Sequence, residues 1–213
     1  MTTHAPKYRR VDELLDLFEE RKAAIRNRLA EFSGVQDTEY FYELVYCLLT
    51  PQSSAVNAAK AVDALKVADL FHNDIQPAEL LHQSHYYVRF HNTKGKHLNA
   101  AKAMFPDIVA VLTNGMTSQQ QRKWLADNVM GMGWKEASHF LRNIGRRNLA
   151  ILDRHILKNL KRHNVIRSLP LSLTSKRYLT IERKFNRFAD FVGITMDELD
   201  LLFWSRETGE ILK

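Results

Sequence analysis

The sequence predicts an all-α protein of two helical lobes. Three features carry that expectation. Apolar residues recur at helical spacing through most of the 213 residues, which puts them on one face of a helix. Helix-starting pairs also recur. Thr117 with Gln120, and Thr195 with Glu198, have the spacing at which two side chains cap a helix N-terminus reciprocally. Strand signals are weak throughout, and no repeat, low-complexity tract or long linker interrupts the chain.

The first helix is expected from Val11 to Glu31, with Leu14, Phe18, Ile25 and Leu29 on one face, and Ser33-Gly34 ends it. Tyr40 to Leu49 is a nearly continuous apolar run before Thr50-Pro51. Its length and composition suit a buried helix, although periodicity alone does not separate helix from strand here. Ala55 to Leu65 is Ala-rich and helical, and Lys94 to Phe105 follows, stopped by Pro106. Thr117 opens a helix through Trp124, Leu125 and Val129 that Gly131 stops. Lys135 to Ile144 resumes as helix until Gly145. Asp153 is a natural N-cap for a run to His163. Ser172 to Phe191 presents Ile181, Phe185 and Phe188 on one face, and Thr195 opens a last helix with Leu199, Leu202 and Phe203 inward. The expected lobes are residues 1–35 with 165–213, and residues 36–164, the latter holding a helix pair at about 119–144.

Composition narrows the class of function. Hydrophobic residues make up 45% and charged residues 26%, the balance of an ordinary soluble globular chain. A formal charge of +7 points to a polyanionic partner, nucleic acid before acidic membrane, with a merely solubilising surface as the alternative. The single cysteine, Cys47, excludes intrachain disulfides and cysteine-rich zinc or iron–sulfur sites. Its neighbours Leu44, Val45, Leu48 and Leu49 predict a buried, inert thiol. The nine histidines show no ligand spacing, so neither metal nor cofactor is expected. Met1 to Arg10 has no signal-peptide apolar core, and no run reaches membrane-spanning length. The expectation is a monomeric intracellular protein of the cytoplasm or nucleoid.

The richest segment is Met130-Gly131-Met132-Gly133-Trp134-Lys135. Two glycines around one residue permit a tight turn and a close approach. Helices on either side make a helix-hairpin-helix, whose exposed N–H groups and helix dipole favour a phosphate without reading sequence. A purely structural turn is the competing reading. Lys135 stands at the turn's exit, and Asp153 opens the next helix eighteen positions later.

Val129-Met130-Gly131-Met132-Gly133-Trp134-Lys135-Glu136-Ala137 followed by Leu152-Asp153-Arg154-His155 resembles the signature of the helix-hairpin-helix DNA glycosylase superfamily. Leu48-Leu49-Thr50-Pro51-Gln52-Ser53 looks like that superfamily's loop bearing a glutamine wedge, and Arg89-Phe90-His91-Asn92-Thr93-Lys94 like its second wedge loop. The short length, the lack of a cysteine cluster, Val88-Arg89-Phe90, and Trp204 followed by Lys213 are most similar to the type-2 8-oxoguanine DNA glycosylase/AP lyase family. No proline precedes Gly131 as it does in many superfamily members.

The resemblance implies a DNA-binding cleft between two helical lobes, and a partner that is double-stranded DNA containing oxidised guanine. It implies Lys135 as nucleophile at C1′ of a flipped nucleotide and Asp153 as the ionised carboxylate that balances charge on the sugar. β-Elimination would follow, making a bifunctional enzyme. Gly131 and Gly133 are expected at the DNA backbone. Gln52 and Phe90 are read as wedges and Arg89 as donor to the orphaned base; the bland readings are a solvent-facing Gln, a core Phe and a phosphate-binding Arg. Lys94, Lys96, Lys102, Arg142, Arg146, Arg147 and Arg154 are candidates for phosphate contact, Arg146-Arg147 foremost. His139 and His155 are expected to be structural, with phosphate or Asp153 as further partners for His155. Trp204 and Lys213 are expected at the base, the ring stacking and the terminal carboxylate accepting from N7–H of the oxidised purine. Another damaged base, or a non-catalytic DNA-binding module, are the alternatives.

Overall fold

The computed structural model describes residues 8–211. Ten α-helices carry the described chain: α1 Val11–Ser33, α2 Tyr40–Leu49, α3 Ala55–Val67, α4 Pro77–Leu80, α5 His91–Thr113, α6 Ser118–Asn128, α7 Trp134–Asn143, α8 Arg154–Arg162, α9 Ser175–Val192 and α10 Met196–Thr208. The all-α expectation holds, with local corrections. A small antiparallel hairpin, β1 His82–Gln83 and β2 Tyr86–Tyr87, precedes α5. Its two-residue strands are too short to leave a period in the sequence. Helix α5 runs through Pro106 instead of stopping there. Phe105, Ile108, Val111 and Leu112 are all buried on that helix, and this burial outweighs the one backbone bond that proline forfeits. Helix α9 starts after Thr174, whose side chain accepts from Arg177 N–H, rather than at Ser172.

Two compact units divide the chain at Gly34/Val35 and at Ile144/Gly145. The second division falls well before the expected one at 164/165. Helix α8 belongs with the chain ends because it packs on α10, where Lys158 and Asn159 both reach Glu207.

The unit holding both chain ends is built on α1 against α10. Leu14, Phe18 and Ile25 of α1 and Leu199, Leu202 and Phe203 of α10 are buried, each stabilising the fold by roughly 1.5–3 kcal/mol. Arg26 pairs with Glu198 at 2.9 Å and Arg21 donates to Ser205 Oγ at 2.8 Å. Thr195 and Glu198 form the expected capping box of α10. His163, at the end of α8, is fully buried and stacked between Phe188 and Phe203.

The middle unit is organised around α2, which is buried at Phe41 and at every residue from Leu44 to Leu49. It packs on α3, α5 and α7, which is why no period shows in it. Phe41, Phe71 and Phe105 form an aromatic cluster, and Cys47 is fully buried as expected. Asn143 at the end of α7 donates to Glu43 of α2 at 3.0 Å. Among the described residues no helix is long and apolar enough to cross a membrane.

Candidate nucleic-acid interface and catalytic residues

Helices α6 and α7 are joined by the five residues 129–133. Thr117 and Gln120 start α6 with a reciprocal capping box, and Val129 N–H closes it on Leu125 O. Gly131 then takes φ +82°, a conformation that side-chain-bearing residues avoid. A Cβ there would lie 2.2 Å from His97 Nδ1, so the turn needs glycine for space as well. Gly133 differs: its backbone is extended at φ −91°, and it serves as N-cap of α7. Arg122 staples the pair from inside, buried with its guanidinium 4.9 Å from the Trp134 ring.

This turn delivers Lys135 onto the first turn of α7, with about a quarter of its side chain exposed. Glu136 is the residue sequence reasoning passed over. One of its oxygens accepts from Gly133 N–H at 3.2 Å, and the other lies 3.2 Å from Lys135 Nζ. The signal was available, because Glu136 stands three residues after the N-cap, the acidic half of a capping box.

The two loops read from the sequence as wedge-bearing come together within the same unit. Arg89 N–H donates to Ser53 Oγ at 3.0 Å, and Asn57 Nδ2 donates to Tyr87 O at 3.1 Å. Gln52 and Phe90 are both exposed, which removes the core reading of Phe90. The Arg89 guanidinium lies over the Phe90 ring at 5.3 Å. Lys94 is corrected from a phosphate contact to a buried residue, 5% exposed, that donates to Leu49 O, Pro51 O and Ser53 Oγ. Burial first, and the nearby Lys135 charge second, pull its amine down to about 8. Arg142 is likewise buried, not presented to solvent. Lys96 is exposed, and Lys102 donates to Asn73 O. His139 is buried beside the Tyr46 ring, the structural setting expected for it.

The chain-end unit holds Asp153. It is the N-cap of α8, with Oδ1 accepting from Ile156 N–H at 2.8 Å. The approach to it is pinned by α9 and α10. Glu182 accepts from Ala150 N–H, Tyr178 Oη contacts both Ala150 O and Leu152 N–H, and Asp197 accepts from Asn148 N–H. Nothing in the local sequence marks these supports, since they come from residues tens of positions away. Arg154 is exposed and donates to His155. The His155 ring meets Trp204 edge-on at 6.1 Å. Phe203 is buried and Trp204 half-buried, so of the two neighbouring rings Trp204 is the one that reaches solvent. Arg146 is half-buried between Gly145 and Arg147. Arg147, expected at phosphate, instead donates to Leu29 O and Ser33 Oγ at the end of α1. Lys213 lies outside the described residues.

A Gly-x-Gly hairpin between two helices, opening onto a lysine, inside an all-α fold, defines a helix-hairpin-helix protein. Comparison with known proteins narrows this. The family model for 8-oxoguanine DNA glycosylase matches residues 25–194. An 8-oxoguanine DNA glycosylase/AP lyase of Fusobacterium nucleatum is 41% identical over 95% of this chain and 97% of its own. One from Korarchaeum cryptofilum is 36% identical over 89% and 90%. The crystal structure of the Methanocaldococcus jannaschii enzyme in complex with a 15mer DNA containing 8-oxoguanine superposes with a TM-score of 0.86 at 31% identity, covering 95% of this chain and 99% of that one. The Thermotoga maritima 8-oxoguanine DNA glycosylase gives 0.84 at 30% identity, covering 95% and 98%. The chain belongs to the 8-oxoguanine DNA glycosylase family.

Proposed function

We propose that this chain excises 8-oxoguanine from double-stranded DNA and then cleaves the abasic strand, acting as a monomer within the cell, in the cytoplasm or nucleoid. The observation that supports this most is Lys135 on the first turn of α7, directly after the Gly131–Gly133 turn. The chain carrying it aligns over nearly its full length with a glycosylase/AP lyase. In the proposed reaction the flipped nucleotide presents C1′ to Lys135. The neutral amine forms a C–N bond as the glycosidic bond breaks, and the base leaves with the electron pair and takes up a proton. A proton passes from nitrogen to the ring oxygen, the C1′–O4′ bond breaks to leave a 4′ hydroxyl, and nitrogen's lone pair forms the protonated Schiff base. That iminium acidifies C2′; loss of its proton expels the 3′ phosphate and cuts the strand. Asp153 supplies the negative charge that balances the developing cation and relays protons. Gly131 and Gly133 N–H groups and Arg146 engage the backbone. Gln52 and Phe90 fill the vacated stack with Arg89 beside them, and Trp204 stacks on the flipped base.

Borohydride reduction tests the chemistry. Wild type incubated with an 8-oxoguanine duplex should give a covalent protein–DNA adduct, and Lys135→Gln should give none. An equal adduct from the variant would sink the lysine assignment. Adducts formed instead with an oxidised-pyrimidine duplex would redirect the substrate.

A further inference from the structure

Deep in the middle unit, Lys94 occupies a position that is unfavourable for a charged group and is fully organised. Its ammonium has three protons and three acceptors: Leu49 O at 2.6 Å, Pro51 O at 2.7 Å and Ser53 Oγ at 3.2 Å. Among the described residues no carboxylate pairs with it. A buried ammonium without a counter-ion persists only where hydrogen bonds replace its water. All three acceptors lie between residues 49 and 53, from the last residue of α2 into the loop that follows it, and Gln52 stands between Pro51 and Ser53.

The same residue holds the other wedge. Lys94 N–H donates to Phe90 O at 2.9 Å, the first helical bond of α5. Ser53 Oγ, which accepts from Lys94, also accepts from Arg89 N–H. One buried side chain and one hydroxyl thus join both loops. The two residues read as wedges share a further oddity. Gln52 has φ +56° and Phe90 φ +60°, left-handed conformations that a glutamine and above all a phenylalanine adopt only when the surroundings hold them. Both side chains are exposed at those strained positions.

We propose that Lys94 and Ser53 are positioning residues that lock Gln52 and Phe90 side by side as a preformed pair of wedges, so that opening the duplex requires no ordering of either loop. This rests on the base-excision reading given above. Preorganisation places its effect on nucleotide eviction rather than on bond breaking.

The experiment therefore separates those steps. Wild type, Lys94→Met and Ser53→Ala are compared on two substrates: a duplex with 8-oxoguanine beside a 2-aminopurine reporter, and a single-stranded oligonucleotide with a preformed abasic site, which needs no eviction. Lys94→Met should slow both the fluorescence rise and duplex excision by on the order of tenfold to a hundredfold. Ser53→Ala should do the same more mildly, since the two carbonyl bonds remain. Strand cleavage and borohydride trapping on the single strand should stay at wild-type rates in Ser53→Ala; in Lys94→Met, which also removes a charge felt by Lys135, they should fall less than duplex excision does. Equal losses on the two substrates, or no loss on the duplex, would overturn the proposal. If Lys94→Met does not fold, Ser53→Ala decides alone on the same criteria. Failure of wild type on both substrates would instead sink the base-excision reading.

Discussion

At Asp153 one carboxylate caps a helix and, in the proposed reaction, also serves chemistry, and substitutions pull the two apart. Asparagine caps as well as aspartate, so Asp153→Asn should leave thermal stability within a few tenths of a kcal/mol, whereas Asp153→Ala should cost about 1 kcal/mol. Single-turnover excision should fall roughly a hundredfold or more in both; wild-type excision by the asparagine variant would leave only the cap. The hairpin glycines make a similar contrast. Gly131→Ala meets both a left-handed backbone and the His97 ring, and should cost about 1–2 kcal/mol for the conformation alone while weakening duplex binding. Gly133→Ala meets only the flexible Glu136 carboxylate, at 3.0 Å, and should be milder. Fluorescence anisotropy with undamaged duplex checks this, and equal losses would contradict it. The places of Lys135 and Asp153 at helix starts were legible in the sequence because helix starts are written locally, in a Gly-x-Gly turn and an N-cap. Lys94 was not: what makes it buried is a loop more than forty positions upstream, and from sequence alone it is one basic residue among many.

Among the elements, the end of α8 carries a sensitivity to acid. His163 is held below its usual pKa chiefly by burial, with the nearby arginines Arg206 and Arg162 adding to the effect. Its Nδ1 lies 2.9 Å from Arg9 O, fixing the chain just before α1. The folded state therefore binds this proton less readily than the unfolded chain. Stability conferred by neutral His163 is present above the ordinary histidine value of 6.5 and is lost as pH falls below it. Thermal midpoints measured from pH 8 to pH 5 should decline in wild type, and less steeply in His163→Gln; parallel curves would remove His163 as the cause. Helix existence was readable from caps and periodic faces, and nearly all of the helices fall where those signals put them. The misses have specific causes. Pro106 reads as a stop because local sequence does not report the burial of Ile108, Val111 and Leu112 beyond it. Hairpin β1–β2 exists through tertiary support such as the Asn57–Tyr87 bond.

For the molecule as a whole, a net charge of +7 makes ionic strength the lever on DNA affinity. Duplex affinity should drop by on the order of a hundredfold or more between about 50 and 200 mM salt, linearly on a log–log scale; a flat response would remove the electrostatic interface. The expected pairing of the chain ends was readable from matching apolar faces on the first and last helices. The division after Ile144 was not, because it depends on α8 choosing α10, a partner far along the chain. The union of α1 with α10 has one more consequence, for how the protein is made. Helix α1 carries Leu14, Phe18 and Ile25, and it leaves the ribosome long before its partner surface on α10 is synthesised. Until Leu199, Leu202 and Phe203 emerge, that greasy stripe has nothing native to lie against. A nascent chain must therefore carry α1 unsatisfied while α2 to α9 are made, open to proteases and to sticky neighbours.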